Sequence, residues 1–198
     1  AELAMAVGER RGVRPRDLQV LGLGALLHDL GKLTLPDEIL NKPDRLTPEE
    51  FEIVKSHAAA GQVLVSTSTV LAAIGPIVRG HHERLDGSGY PDGLAGDAIP
   101  FAARIVSVCD AFDAMAQTRQ YRVGMGQDKA ISILREHAGS QWDPRVVEAL
   151  VEVVEGDRVE AGRLTDVGRR EGLPDERAGR CGCEDALPPD LVLADLRA

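Results

Sequence analysis

Four histidines and two aspartates stand at positions where a metal-dependent phosphate-ester chemistry would need them. His28 and Asp29 open the run HDLGK, His57 lies in FEIVKSHAAAG, His81 and His82 are adjacent in HHERLDGSGYPDGL, and Asp110 sits in RIVSVCDAFDA. Four imidazoles and two carboxylates are enough to hold two divalent ions, the usual device for activating water against a phosphate ester. Mixed nitrogen and oxygen donors suit Fe, Mn, Zn, Ni or Co better than Mg or Ca, which prefer all-oxygen shells. A single histidine is more often a core or surface residue than a ligand. Only His137 falls outside the set, late in a predicted helix where a helix-dipole contact accounts for it.

The elements that position these residues read as helices. Leu18, Leu21, Leu23, Leu26, Leu27 and Leu30 give residues 16–30 a broad apolar face, and Gly31 lies where that helix would end. Pro36, Asn41 and Pro43 mark a loop. Thr47-Pro48-Glu49-Glu50 combines a capping box with proline at the first helical position, which predicts a helix carrying His57. A further helix is expected over about 69–83, ending in the histidine pair. Gly87, Gly89, Gly93 and Gly96 with Pro91 and Pro100 make 85–100 a loop. Helices are expected again at about 101–116, 127–138 and 144–155, the last opened by Asp143-Pro144. No period-two strand pattern of any length appears, so the fold class is all-α, a bundle of at least five or six helices. Residues 156–198 hold no aromatic residue and are expected to form a poorly ordered tail or linker.

Bulk properties narrow the function classes. At 198 residues one domain is the natural expectation, and aromatics at only 3% leave Leu, Val, Ile and Ala to fill the core. A net charge of −9 repels a nucleic-acid polymer, so an anionic small ligand needs a local positive site. No run approaches the ~18 apolar residues of a membrane span, and no membrane contact is expected from this segment. Cys109, Cys181 and Cys183 are too few for a disulfide framework, which points to a reducing cytoplasm. The Cys181-Gly-Cys183 pair alone is a weak metal signal. The start at Ala1 rather than methionine suggests an excised piece of a longer protein.

HDLGK, KSH, HHERLDGSGYPDGL and IPFAARIVSVCDAFDAMAQTRQYR together closely resemble the HD-GYP domains of the HD phosphohydrolase superfamily. The resemblance runs over residues 1–155 and implies an all-helical metal enzyme that hydrolyses cyclic di-GMP. It implies that His28, Asp29 and Asp110 hold one metal, and that Asp29 bridges to a second completed by His57, His81 and His82. The two divalent ions would be Fe or Mn first, with Zn, Ni or Co as alternatives. Lys32 resembles the lysine that contacts the scissile phosphate, and Asp29 and Lys32 are the expected catalytic pair. Gly89, Tyr90 and Pro91 would shape the substrate loop, while Arg119 and Arg122 would reach the second phosphate or a guanine. The competing readings are a helix-dipole role for Lys32, loop packing for Tyr90-Pro91 and solvated charges for the two arginines. Asp113 is expected to make a structural hydrogen bond, and Glu83 either orients a histidine or is exposed.

The expected reaction is attack by a metal-bridging hydroxide on cyclic di-GMP, in line with the departing 3′ oxygen, giving pGpG and then GMP. Alternatives are a non-catalytic cyclic di-GMP-binding or partner-docking module, and an HD phosphohydrolase acting on another nucleotide. Expected partners are an upstream receiver or sensor domain and a GGDEF-type protein. The sequence departs from the family pattern in one respect that matters. The superfamily also uses a histidine on the preceding helix, and alignment places it about five positions upstream of Ala1. One metal is therefore expected to be a ligand short, with impaired affinity or turnover. Ala58 and Gln120 stand where proline is usual, which touches backbone stiffness rather than ligand chemistry.

Overall fold

The computed structural model describes residues 1–117 and 124–168. Its eight α-helices are α1 (Glu2–Arg10), α2 (Pro15–Leu27), α3 (Asp37–Leu40), α4 (Pro48–Ser66), α5 (Gly75–Gly80), α6 (Phe101–Ala116), α7 (Gln127–Glu136) and α8 (Pro144–Gly168). Short 3-10 turns cover Leu30–Thr34, Ala72–Ile74 and Gly96–Ala98. Among the described residues there is no strand beyond two isolated bridges, Asp86 to Ala95 and Ala138 to Trp142. No described helix is long and apolar enough to cross a membrane.

Local signals explain most boundaries. Thr47 caps α4 by accepting from the Glu50 N–H at 3.3 Å, while the Glu50 carboxylate accepts from the Thr47 N–H at 2.7 Å. α6 spans the expected residues 101–116. Three helices differ clearly from expectation. The helix expected over 16–30 stops at Leu27, and the chain tightens into the Leu30–Thr34 turn. Gly31 explains the change: it is pressed so closely onto α4 that a Cβ would overlap the His57 carbonyl oxygen and lie 2.6 Å from the Gly61 nitrogen. The helix expected over 69–83 shrinks to Gly75–Gly80 because Pro76 cannot donate back to the preceding turn and restarts the helix. The helix expected to end at 155 continues to Gly168.

α6 is the axis of the bundle. Ala103, Ile105, Val106, Val108, Cys109, Ala111, Phe112, Ala114 and Met115 are all buried on it, so it is apolar nearly all round. α1, α2, α5, α7 and α8 supply most of the rest of the large core, including Val7, Leu21, Ile77, Leu134, Val147 and Leu150. A second, smaller cluster of Val65, Ile74 and Val78 lies between α4 and α5. The glycine-rich loop after α5 is tied to the α7–α8 connection by Leu85 N–H to Gln141 O (3.1 Å) and Asp86 N–H to Ser140 O (2.8 Å). Both clusters therefore border the region where the four histidines meet.

Candidate metal centre and substrate loop

Four elements deliver the metal-type side chains. His28 is the C-cap of α2, with Asp29 the next residue. His57 lies inside α4, His81 is the C-cap of α5 with His82 after it, and Asp110 lies inside α6. Three imidazoles are oriented by the same device. Nδ1 of His28, His57 and His81 bonds the carbonyl three residues earlier, at Ala25 (2.9 Å), Val54 (2.7 Å) and Val78 (2.8 Å). Each Nδ1 then carries a proton and donates, so Nε2 is the nitrogen turned toward the cluster in all three.

Asp29 stands between two ligand sets. Its Oδ1 lies 3.5 Å from His57 Nε2 and 3.8 Å from His81 Nε2, while Oδ2 lies 3.2 Å from His28 Nε2. His28 Nε2 is in turn 3.6 Å from Asp110 Oδ1. Ligand atoms of Asp29, His57, His81 and His82 all fall within 4.8 Å of one another. His28 Nε2, Asp29 Oδ1 and His82 Nε2 are buried without a hydrogen-bond partner, a costly arrangement for a purely structural cluster. Mixed nitrogen and oxygen donors that converge and leave their lone pairs unused fit divalent transition-metal ions. Asp29, with one oxygen toward each set, has the geometry of a bridge.

Burial and mutual charge tune the group. Burial pulls the His28 imidazole down, but the Asp110 and Asp29 carboxylates outweigh it and raise its pKa to about 10, so its Nε2 carries a proton that a bound cation would have to displace. Asp29 is held well below the usual carboxylate range: burial opposes this, and His28, His81 and Lys32 overcome it. Asp110 is also lowered, burial again opposing and His28 prevailing. His57 is lowered to about 4 by burial, against its bond to the Val54 carbonyl and with His81 adding to the depression. His82 falls well below the ordinary value through burial and the neighbouring His81 and His57. His57 and His82 are thus neutral near pH 7, as ligands must be.

The glycine-rich loop closes over this cluster. The Tyr90 ring stacks on His82 at 4.8 Å between centroids and 27° between planes. Its backbone N–H donates to the His82 carbonyl at 3.3 Å, and its hydroxyl is buried with no hydrogen-bond partner. Burial, then Asp29 and Asp110, raise the phenol's pKa, so it remains a protonated donor. The Tyr90–Pro91 peptide is cis. Gly89 leaves no room for a side chain: a Cβ would overlap the Arg84 nitrogen and come within 2.6 Å of Glu83 Cα and the His82 oxygen. Lys32 Nζ sits 2.7 Å from Asp29 Oδ2. At the rim, Lys55 Nζ lies 5.1 Å from the Phe51 ring centre and 5.9 Å from that of Tyr90.

The HD domain family matches residues 1–146 of the chain, a stretch that holds every ligand-type residue above. The chain belongs to the HD domain family. Among curated relatives of this HD domain is the cyclic di-GMP phosphodiesterase response regulator RpfG of Xanthomonas campestris pv. campestris, 41% identical over 153 residues, covering 76% of this chain and 40% of that protein. Another is the 3'3'-cGAMP-specific phosphodiesterase 3 of Vibrio cholerae, 40% identical over 126 residues, covering 64% of this chain and 27% of that protein. The chain thus spans less than half the length of the curated relatives it matches. A solved structure, the HDG"Y"P protein Bd1817 of Bdellovibrio bacteriovorus, is similar at TM-score 0.59 and 25% identity, covering 77% of this chain and 49% of that one.

Within the HD domain the structure brings together His28, Asp29, His57, His81, His82, Asp110 and Lys32, with Gly89, Tyr90 and Pro91 in the adjoining loop. Arg119, Arg122, Cys181 and Cys183 lie outside the described residues. Asp113 accepts from the Gln117 amide at 3.4 Å. Glu83 is neither exposed nor a histidine partner: it is 3% exposed, and its carboxylate accepts from loop N–H groups. Phe51 and Lys55 lie in the run FEIVKSHAAAG, but their spacing alone does not place them beside Tyr90, which comes from the distant loop.

Proposed function

We propose that this HD domain is a phosphodiesterase that opens cyclic di-GMP to pGpG, with GMP as the product of a second round. The observation that carries the reading is Asp29, whose two oxygens face the His57–His81 set and the His28–Asp110 set respectively. When bound, a pair of divalent ions, Fe or Mn first and Zn, Ni or Co as alternatives, would lower the pKa of a water and neutralise phosphate charge. His28, Asp29 and Asp110 would hold one ion, and Asp29, His57, His81 and His82 the other.

The chain's own groups account for the rest of the reaction. Lys32, beside Asp29, places a cation where negative charge grows on the scissile phosphate, and a donor fixed there lowers the barrier without reorganising. The Tyr90 hydroxyl, protonated and unpartnered, donates to a substrate oxygen. Gly89 and Pro91 shape the wall that admits the nucleotide, and Arg119 and Arg122 take the second phosphate or a guanine. An upstream receiver or sensor domain is consistent with the response-regulator name of the Xanthomonas relative, and a GGDEF-type protein remains the proposed partner. The Vibrio relative's name makes 3'3'-cGAMP the second substrate to try.

The test uses the protein in its complete natural chain, loaded with Mn²⁺ or Fe²⁺ and given each cyclic dinucleotide. Chromatography should show pGpG from cyclic di-GMP, formed faster than product from 3'3'-cGAMP. Asp29→Asn should cut turnover by at least ~100-fold, since it weakens the bridge to both ions. A metal-loaded protein that leaves both compounds intact overturns the reading, and so does undiminished turnover in the Asp29 variant. Tight cyclic di-GMP binding without turnover would favour a sensing module instead.

A further inference from the structure

Glu83 follows the histidine pair, and its surroundings give it a task of its own. It is 3% exposed, although an ionised carboxylate is expensive to bury unless it is fully bonded. The compensation comes from the loop. Oε1 accepts from the Asp92 N–H at 2.7 Å and Oε2 from the Leu94 N–H at 2.9 Å. Charge-assisted bonds of this kind are stronger than those between neutral groups.

The two bonded amides lie just after Tyr90-Pro91, and backbone contacts between turn and loop add to them. Tyr90 N–H reaches the His82 carbonyl, Gly87 N–H reaches the Arg84 carbonyl at 2.9 Å, and Gly89 is packed on Glu83 Cα. Outside, Arg79 grips the Asp92 carboxylate at 2.6 and 2.7 Å, but both partners are about one-third exposed, so water screens that pair. One short segment, Arg79 to Glu83, therefore carries two metal-type ligands and both clamps on the loop.

We propose that Glu83 is a positioning residue that keeps the Tyr90 hydroxyl in register with the histidine cluster. It touches neither the metal ligands' free nitrogens nor a reacting atom; it acts through the loop. Without it the loop samples other arrangements, and only a fraction of molecules present Tyr90 correctly to a substrate. Apparent affinity falls by that fraction, whereas saturating substrate restores the competent arrangement. KM should therefore rise while kcat changes little. The kinetic part rests on the phosphodiesterase reading; the part concerning the loop does not.

The experiment compares wild type, Glu83→Gln and Glu83→Ala in the complete natural chain. Glutamine keeps the shape but offers a donor to one of the two N–H groups, so it breaks one bond without leaving a cavity. Three measurements are made: amide exchange, metal content after Mn²⁺ loading, and kinetics on cyclic di-GMP. In Glu83→Gln the Asp92 and Leu94 amides should exchange about tenfold faster, with α6 and α8 amides and metal content unchanged. KM should rise about tenfold at nearly constant kcat. Unchanged exchange at Asp92 and Leu94 overturns the proposal. A uniform rise in exchange with loss of metal does so too, because that marks a merely structural role. If wild type hydrolyses no cyclic dinucleotide, the catalytic reading fails while exchange and metal content still decide the role of Glu83.

Discussion

Gly31 shapes the candidate metal centre through its backbone alone. It lies two residues after Asp29, on the turn that seats the His28–Asp29 pair against α4, and its backbone meets the α4 backbone at His57 and Gly61. A methyl group there would overlap the His57 carbonyl, which flexible side chains cannot yield to relieve. Gly31→Ala should therefore cost about 1–3 kcal/mol of stability through overpacking. It should also weaken Mn²⁺ binding, because His57 and Asp29 are pushed apart together. Denaturant melts and a metal titration would check this, and wild-type values in both would refute it. The six converging side chains were legible in the sequence as a set, because four histidines and two aspartates in such motifs suit one metal-type cluster. Gly31 was not, because a glycine after a leucine-rich stretch reads equally well as an ordinary helix stop. Nor was Glu83, whose burial depends on a loop folding back onto it from nine and eleven residues away.

α8 shows how a single residue launches an element. Asp143 precedes Pro144, and its carboxylate accepts from the Arg145 N–H at 2.9 Å as an N-cap should. The same carboxylate, 3% exposed, pairs with Arg145 Nη2 at 2.8 Å and with Arg104 Nη1 of α6 at 3.0 Å, so one group joins two helices. Asp143→Ala should cost roughly 1–3 kcal/mol, the loss of the cap plus that of the charged partner. Burial opposes ionisation of Asp143, but Arg145 and Arg104 hold its pKa below the ordinary value. A lowered folded-state pKa means that the stabilisation is complete above the unfolded value near ~3.9 and is lost as pH falls through the folded one. The advantage of wild type over Asp143→Asn should thus be constant from pH 5 to 7 and shrink below about 4. Melts across that range would show it, and a gap that widens with acid would contradict it. Capping signals of this sort made α4 and the start of α8 readable from the sequence. α5 is shorter than its apolar run suggests because the Gly75-Pro76 restart is hidden inside that run.

At the scale of the molecule the centre is a junction between two cores. α6 belongs to the large cluster and α4 to the small one, while α2 and α5 contribute to both through Leu21 and Ile77 on one side and Leu23 and Val78 on the other. Ions held by the six ligands would cross-link all four elements, so metal should act on global stability as well as on turnover. A ligand that binds only the folded state at a hundredfold excess over its Kd adds about 2.7 kcal/mol. At about 2–4 °C per kcal/mol for a domain of this size, Mn²⁺ should raise Tm by roughly 5–10 °C. A chelator should remove the increment, and Asp29→Asn should lack most of it, since the Asp29 oxygens face both sets of side chains. Calorimetry with and without Mn²⁺ measures this directly. An unchanged Tm in wild type, or an undiminished rise in the variant, would mean that the six side chains do not act as a single centre. The experiment separates metal binding from catalysis because it needs no substrate. It therefore bears on the bridge geometry of Asp29 whatever nucleotide the loop admits.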